Sequence, residues 1–224
     1  MARQRPDTVN LALCLVFAAE VHRRRREPQE ASEYAKAAIA ISGEQELPIY
    51  LAWGTVLQGW ALAEQGNPEE GIAWIHQGLS AYAATGASLG RPNLLAILAE
   101  ACGKARQIDA GLATLAEALA LVADTGELLD ESALHCLNGE LLLQLPNKED
   151  EAEACFRTAI AVAHGQGARA LELQAALCLA QLLRQQGKPD AAREILAPIH
   201  GTFTEGFGLA DWQRGKIELD LLDA

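Results

Sequence analysis

The chain repeats itself at an interval of about 40 residues. The stretch GIAWIHQGLSAYAATG at 71–86 is followed 40 positions later by GLATLAEALALVADTG at 111–126. The small residue that opens each stretch recurs along the chain, at Ala31, Gly71, Gly111, Ala152 and Ala192. A fixed period of roughly 20 to 50 residues is typical of solenoid proteins, in which each repeat buries its apolar face against its neighbours. The period therefore restricts the fold to a stack of similar units.

Each repeat carries two helical stripes. The residue four positions after each opening residue is mostly large and apolar: Ala35, Ile75, Leu115, Phe156 and Leu196. The residue seven positions after it is mostly small: Ala38, Gly78, Ala118, Ala159 and Ile199. Residues three and four apart share one face of a helix, so this spacing predicts a buried face. The segment before each opening residue forms a second apolar stripe with a small residue in its middle, at Ala19, Gly59, Ala99, Gly139 and Ala180. The unit is therefore predicted to be a helix-turn-helix pair whose helices pack closely.

The turns between the paired helices contain residues typical of helix ends. Pro28, Pro68 and Pro189 each lie three residues before an opening residue. Proline suits the first turn of a helix, where its missing N–H is not needed. In QGNPEE, Gly66 is expected to end one helix and Asn67 to cap the next.

These observations predict an all-α protein, a right-handed α-solenoid of about five repeats with a C-terminal capping helix. We expect one domain over 1–224, with repeats at 8–46, 47–87, 88–127, 128–168 and 169–201 and a capping segment at 202–224. The spacing resembles the tetratricopeptide repeat (TPR), which has a period of about 34 residues. The longer period here implies longer helices. The β-branched and aromatic alternation of a strand is missing.

The net charge and the composition exclude some classes of binding partner. The formal net charge is −12, which argues against nucleic acid or an anionic membrane as the main partner. The apolar start VNLALCLVFAAEV is short and soon followed by charges. We therefore expect neither a membrane span nor a signal peptide, and we expect a cytoplasmic location.

The basic run HRRRRE at 22–27 is an exception to the acidic composition. It fits either a solvated helix C-terminus or a contact patch for an acidic partner.

No pattern of catalytic or metal-binding residues is present in the sequence. The five cysteines lack C-x-x-C spacing and are expected to behave as small buried apolar residues. The five histidines are scattered over different repeats, and no Gly-Lys pair is followed by the Ser or Thr of a P-loop. We therefore predict no catalytic residue, no cofactor and no metal.

The first helix of each pair is expected to line the concave face of the solenoid, where ligands bind. Polar and aromatic residues near the central small residues are the candidates; they are Glu20, Arg23, Trp53, Trp60, Asn93, Glu100, Lys104, Glu140, Gln144, Gln181 and Arg184. Tryptophan and arginine are common interface anchors. The two tryptophans equally fit a role in filling the core between repeats, and the charged residues a solvated face.

Longer phrases carry a family resemblance. GWALAEQG at 59–66 and FTEGF at 203–207, with the repeats around them, resemble the C-terminal TPR region of large bacterial adenylate or guanylate cyclase-like proteins with a predicted ATPase module. The resemblance spans nearly the whole chain from about residue 11. It implies an interaction or sensor region and brings no catalytic residue. It also implies that the chain is either a fragment or a short relative of such a protein.

We therefore predict a non-catalytic, regulatory protein-protein interaction module. Its partner would be a protein or peptide, including other domains of a parent protein. The alternative is a small-molecule sensor with an effector in the concave groove near Trp53, Trp60 and Asn93. Self-association through the N-terminal repeat is a further expectation, because an uncovered first repeat exposes an apolar edge. An enzyme is the least supported class.

Overall fold

The computed structural model describes residues 6–223, and every regular element in this range is helical. One short 3-10 turn, Leu128–Asp130, precedes the seventh α-helix. The α-helices are α1 Pro6–Arg24, α2 Pro28–Glu44, α3 Pro48–Glu64, α4 Pro68–Ala84, α5 Arg91–Lys104, α6 Ile108–Thr125, α7 Glu131–Leu142, α8 Glu149–Gln166, α9 Arg169–Gln185, α10 Pro189–His200 and α11 Ala210–Leu222. In chain order they are five successive pairs followed by a single helix. The predicted all-α class and the helix-turn-helix repeat are therefore confirmed.

The prolines and Asn67 occupy the predicted positions at the starts of their helices, but the side chain of Asn67 makes no capping bond. Pro28, Pro68 and Pro189 are the first residues of α2, α4 and α10. Gly66 adopts a φ of +95°, which glycine tolerates best. Asn67 holds the N-cap position, but its side chain makes no capping hydrogen bond. Its backbone carbonyl instead accepts the first helical bond, from the Gly71 N–H at 2.9 Å.

The repeated small and apolar positions form the interior, as their spacing predicts. All five opening residues are buried, and so are the five residues four positions later. The central small residues of the first helices are also buried in every repeat. The seventh position is buried in four repeats, and Ile199 is half-buried. The 40-residue period is thus the period of the core.

The chain divides into two compact units, residues 1–118 and 119–224, and the boundary falls within α6. The prediction of one domain stays a prediction. In the first unit, α3 packs against α2, α4 and α5, and α1 against α2 and α3. The largest fully buried side chains there include Trp60, Leu57, Ile75, Leu94 and Ile97.

The closest helix contact of the first unit lies between α3 and α4. A Cβ atom built on Gly59 would lie 2.6 Å from the Gly71 carbonyl oxygen, and one built on Gly71 would lie 2.5 Å from the Gly59 carbonyl oxygen. A Cβ on Gly78 would lie 2.8 Å from the Ala52 carbonyl oxygen. Glycine in a helix interior costs about 1 kcal/mol relative to alanine, and the close backbone approach explains its presence here.

The second unit contains the pairs α7/α8 and α9/α10 and the last helix. Its Gly139 faces the ring of Phe156, whose Cε1 atom would be 2.5 Å from a Cβ at that glycine. Helix α11 packs against α9 and α10, as a capping helix does. The His200 ring stacks on the Trp212 indole with 4.7 Å between ring centroids.

Helix α1 forms the edge of the first repeat and shows apolar side chains to solvent. Leu11, Phe17 and Val21 are each about half exposed. None of the helices within residues 6–223 combines the length and the apolar character needed to cross a membrane. Self-association through this edge stays a prediction.

Candidate functional site

Charged side chains from α1, α3 and α5, with the turn after α1, form one connected group in the first unit. We call it the charged cluster; its members are Glu20, Arg23, Arg24, Arg26, Glu64, Asn93, Glu100 and Lys104. Five of the predicted binding residues belong to it: Glu20, Arg23, Asn93, Glu100 and Lys104. The first helices lie side by side because α3 contacts both α1 and α5.

Arg23 is the centre of the charged cluster. Its Nε and Nη2 atoms donate to the two carboxylate oxygens of Glu20 at 2.9 and 2.8 Å. Its Nη1 donates to Glu100 Oε2 at 3.3 Å, and its Nη2 also donates to Asn93 Oδ1 at 3.1 Å. One guanidinium therefore joins α1 to α5 across 77 positions of sequence.

The remaining cations surround this centre. Arg24 Nε donates to Glu20 Oε1 at 2.7 Å. Arg26, in the turn after α1, pairs with Glu100 and lies 3.9 Å from Glu64. Lys104 Nζ donates to Glu64 Oε2 at 3.0 Å. Three carboxylates are thus matched by four cations.

The acidic side chains of the charged cluster are more buried than three of its four cations. The side chains of Glu20, Glu64 and Glu100 are 10, 15 and 9% exposed. Those of Arg24, Arg26 and Lys104 are 40, 42 and 47% exposed. The surface that this cluster presents to solvent is therefore cationic, in a chain with a net charge of −12.

Glu20 and Arg23 form a largely buried ion pair. Burial alone would raise the pKa of the Glu20 carboxyl, but the charges and hydrogen bonds of Arg23 and Arg24 outweigh burial and lower it. Burial likewise opposes the charge on Arg23, yet Glu20 and Glu100 raise the pKa of its guanidinium. Each ion holds the other in its charged form.

The two predicted tryptophans fill space in the first unit. Trp60 is 1% exposed and lies in the core, which agrees with the packing interpretation of this residue. Trp53 is half-buried, with its ring centroid 6.5 Å from that of Phe17 and 6.0 Å from that of Tyr82. Neither indole N–H has a hydrogen-bond partner among the described residues.

The four predicted binding residues of the second unit have different surroundings and do not form one cluster like that of the first unit. Arg184 Nε donates to Glu218 Oε1 of α11 at 2.5 Å, so it binds the capping helix. Glu140 lies beside two cysteine thiols. Gln144 is exposed and Gln181 is half-buried. As binding residues, all eleven positions stay predictions.

Sequence reasoning missed Arg24, Arg26 and Glu64 as members of the cluster. A signal was present, because positions 24, 64 and 104 are equivalent in successive repeats and carry Arg, Glu and Lys. Side chains at equivalent positions of stacked repeats are neighbours, so alternating charge predicts ion pairs between repeats. Within the basic run at 22–27, Arg23 and Arg26 make ion pairs to other repeats, whereas Arg24 and Arg25 pair locally with Glu20 and Glu27.

Three of the histidines lie in the second unit. His135 is half-buried, and burial lowers the pKa of its imidazole although Glu131 acts in the opposite direction. His164 Nδ1 lies 2.9 Å from a carboxylate oxygen of the buried Glu172. His200 pairs with the Trp212 backbone carbonyl at 3.1 Å. These contacts join one helix to the next or to the capping segment.

No protein-family model matches the sequence, and no curated protein is a significant match. Solved structures do match. A Rap protein in complex with competence and sporulation factor has a TM-score of 0.73 and 18% identity, covering 95% of this chain and 57% of that one. BtubC (BKLC) from P. vanneervenii has a TM-score of 0.65 and 16% identity, covering 89% and 86% of the two chains. TPR-like repeats of a Podosopora anserina kinesin light chain have a TM-score of 0.57 and 19% identity, covering 84% and 92%. The chain therefore has the helical-repeat fold of TPR-like α-solenoids.

Proposed function

We propose that the chain is a non-catalytic protein-interaction module that binds an acidic segment of a partner at the charged cluster. The observation that carries this proposal is the arrangement of partly exposed cations above buried carboxylates. Arginine recognises carboxylates through paired N–H donors, and lysine adds a point charge. An acidic peptide therefore has the complementary chemistry.

The buried acids favour binding by holding the cations in place. A long side chain that is already ordered loses less entropy when a ligand arrives, because its rotamers are fixed beforehand. Glu100 orients both Arg23 and Arg26, and Glu64 contacts both Arg26 and Lys104. A ligand carboxylate would meet cations in a fixed arrangement.

Two further observations support the proposal. The structurally similar Rap protein was solved in complex with competence and sporulation factor, so a protein of this helical-repeat fold holds a bound factor. The resemblance of GWALAEQG and FTEGF to cyclase-like signalling proteins favours a bacterial, cytoplasmic parent whose ATPase or cyclase domain supplies the acidic segment. That intramolecular partner is part of the proposal.

The test is selection from a displayed random-peptide library on the full chain. We expect the selected peptides to be rich in Asp and Glu, to bind more weakly as salt is raised, and to lose at least about tenfold in affinity on the double variant Arg26→Gln/Lys104→Gln. Lys36→Gln, an exposed lysine of α2, is the matched control and should bind as the unaltered chain does.

Two outcomes would reject the proposal. Selected peptides that bind the double variant and the unaltered chain equally would place the interface elsewhere. Failure to select any peptide, together with a dose-dependent rise in melting temperature on adding a metabolite, would favour the small-molecule sensor instead. Far-ultraviolet circular dichroism of the double variant excludes loss of folding as the cause.

A further inference from the structure

Two cysteines and a glutamate meet between α7 and α9 in the second unit. Cys136 and Glu140 lie one helical turn apart on α7, and Cys178 lies on α9. The two Sγ atoms are 3.9 Å apart. Glu140 Oε1 is 3.4 Å from Cys178 Sγ and 3.9 Å from Cys136 Sγ. Two thiols and a carboxylate thus form a triangle whose three sides are nearly equal.

The triangle has the dimensions of one face of a tetrahedral metal site. Zinc binds thiolate sulfur at about 2.3 Å and carboxylate oxygen at about 2.0 Å. In a tetrahedron these bond lengths place two sulfurs about 3.8 Å apart and a sulfur and an oxygen about 3.5 Å apart. The Sγ–Sγ separation of 3.9 Å and the Cys178–Glu140 separation of 3.4 Å are close to these values, and the Cys136–Glu140 separation of 3.9 Å is about 0.4 Å longer.

The donor set selects the kind of cation. Thiolates favour zinc and other soft or borderline ions, whereas calcium and magnesium require oxygen ligands. Three protein ligands leave a fourth position for water or an exogenous ligand, the arrangement of open rather than closed zinc sites.

The site is reachable from solvent and differs from the other cysteines. Cys136 is buried, whereas Glu140 and Cys178 are half-buried, so the triangle has an exposed side. Burial raises the pKa of the Cys102 thiol, and burial with the nearby Glu151 raises that of Cys155. Cys14 is exposed on α1. The site could not be predicted from the sequence, because its ligands come from two different repeats and do not have C-x-x-C spacing.

We propose that Cys136, Glu140 and Cys178 bind one zinc-class divalent cation, with the fourth coordination position open. The ion would link the first helices of the fourth and fifth repeats, α7 and α9. Because both thiols lose their protons on coordination, binding releases protons and strengthens as pH rises.

The test is a cobalt titration of the full chain, reduced with a phosphine and stripped of metal with a chelator. Co²⁺ reports thiolate coordination through a sulfur-to-cobalt charge-transfer band and tetrahedral geometry through its visible absorption. We expect saturation at one equivalent and loss of the band on adding Zn²⁺. Cys136→Ser and Cys178→Ser should each reduce cobalt affinity at least about a hundredfold, and Glu140→Gln at least about tenfold. Cys14→Ser and Cys155→Ser are the controls and should leave the titration unchanged.

Three results would overturn the proposal. A reduced chain without the charge-transfer band has no thiolate site. A band that survives both serine substitutions comes from other ligands. The third result is a reduced chain that does not bind Co²⁺ but whose mass falls by two hydrogens on oxidation, with no such loss in Cys178→Ser. That result would mean that Cys136 and Cys178 form a disulfide rather than a metal site. Because Cys136 is buried, the half-buried Cys178→Ser variant keeps the test valid if Cys136→Ser fails to fold.

Discussion

Gly59 and Gly71 approach each other so closely that a Cβ atom on either would meet the backbone carbonyl oxygen of the other, at 2.6 and 2.5 Å. Neither obstacle is the flexible end of a side chain, so α3 and α4 would have to separate. We expect Gly59→Ala to lower the free energy of unfolding by about 2 kcal/mol, because overpacking outweighs the gain in helix propensity. Urea unfolding followed by tryptophan fluorescence measures this, since Trp53, Trp60 and Trp74 lie in the first unit.

The matched control is Gly43→Ala in α2. No heavy atom lies within 4 Å of a Cβ built at Gly43. We therefore expect this variant to be as stable as the unaltered chain or up to about 1 kcal/mol more stable, because alanine is the better helix former. If both variants were equally stable, the α3–α4 contact would be wider than the structure has it.

Arg23 is expected to be essential for the stability of the first unit. Its removal takes the shared guanidinium from the buried Glu20 and Glu100, which then keep the partly exposed Arg24 and Arg26 as partners. Leaving a buried charge uncompensated costs about 3–5 kcal/mol, and Arg24 and Arg26 offset part of this cost, so Arg23→Ala should unfold at a lower urea concentration. Arg25→Ala is the control, because Arg25 is 53% exposed and its pair with Glu27 should contribute less than about 1 kcal/mol. Equal effects of the two variants would contradict the central position of Arg23.

Acid should weaken the first unit through Glu20. The pKa of this carboxyl is lowered in the folded chain, so below the ordinary value of 4.5 the unfolded chain binds more protons than the folded one. The stabilisation from Glu20 is therefore present above that pH and is lost as pH falls through the lower, folded pKa. We expect the unfolding midpoint of the unaltered chain to fall on acidification, and that of Glu20→Gln to start lower and fall less steeply. Parallel pH profiles for the two proteins would assign the acid sensitivity to other carboxyls.

The repeat and its buried positions could be predicted from the sequence because local spacing determines which face of a helix is apolar. The charged cluster could be predicted only in part. Glu20 and Glu100 follow the small residues of their repeats, whereas Arg26 reaches Glu100 from a turn and across 74 positions. The thiol pair escaped prediction for the same reason, since Cys136 and Cys178 are 42 positions apart, and a one-residue insertion in the fourth repeat shifts their register. Contacts between repeats depend on how helices stack, which local spacing does not specify.

Gly139 and Phe156 should show compensation in the second unit. A Cβ at Gly139 would lie 2.5 Å from the Phe156 ring, which is itself completely buried. Gly139→Ala alone should therefore destabilise by about 1–3 kcal/mol, and Phe156→Leu alone by a similar amount through the space that it leaves. Because the added methyl group fills part of that space, the double variant should be more stable than the sum of the single effects predicts, by at least about 0.5 kcal/mol. A double-mutant cycle from thermal unfolding monitored by circular dichroism measures the difference. Strict additivity would mean that residues 139 and 156 do not share one packing site.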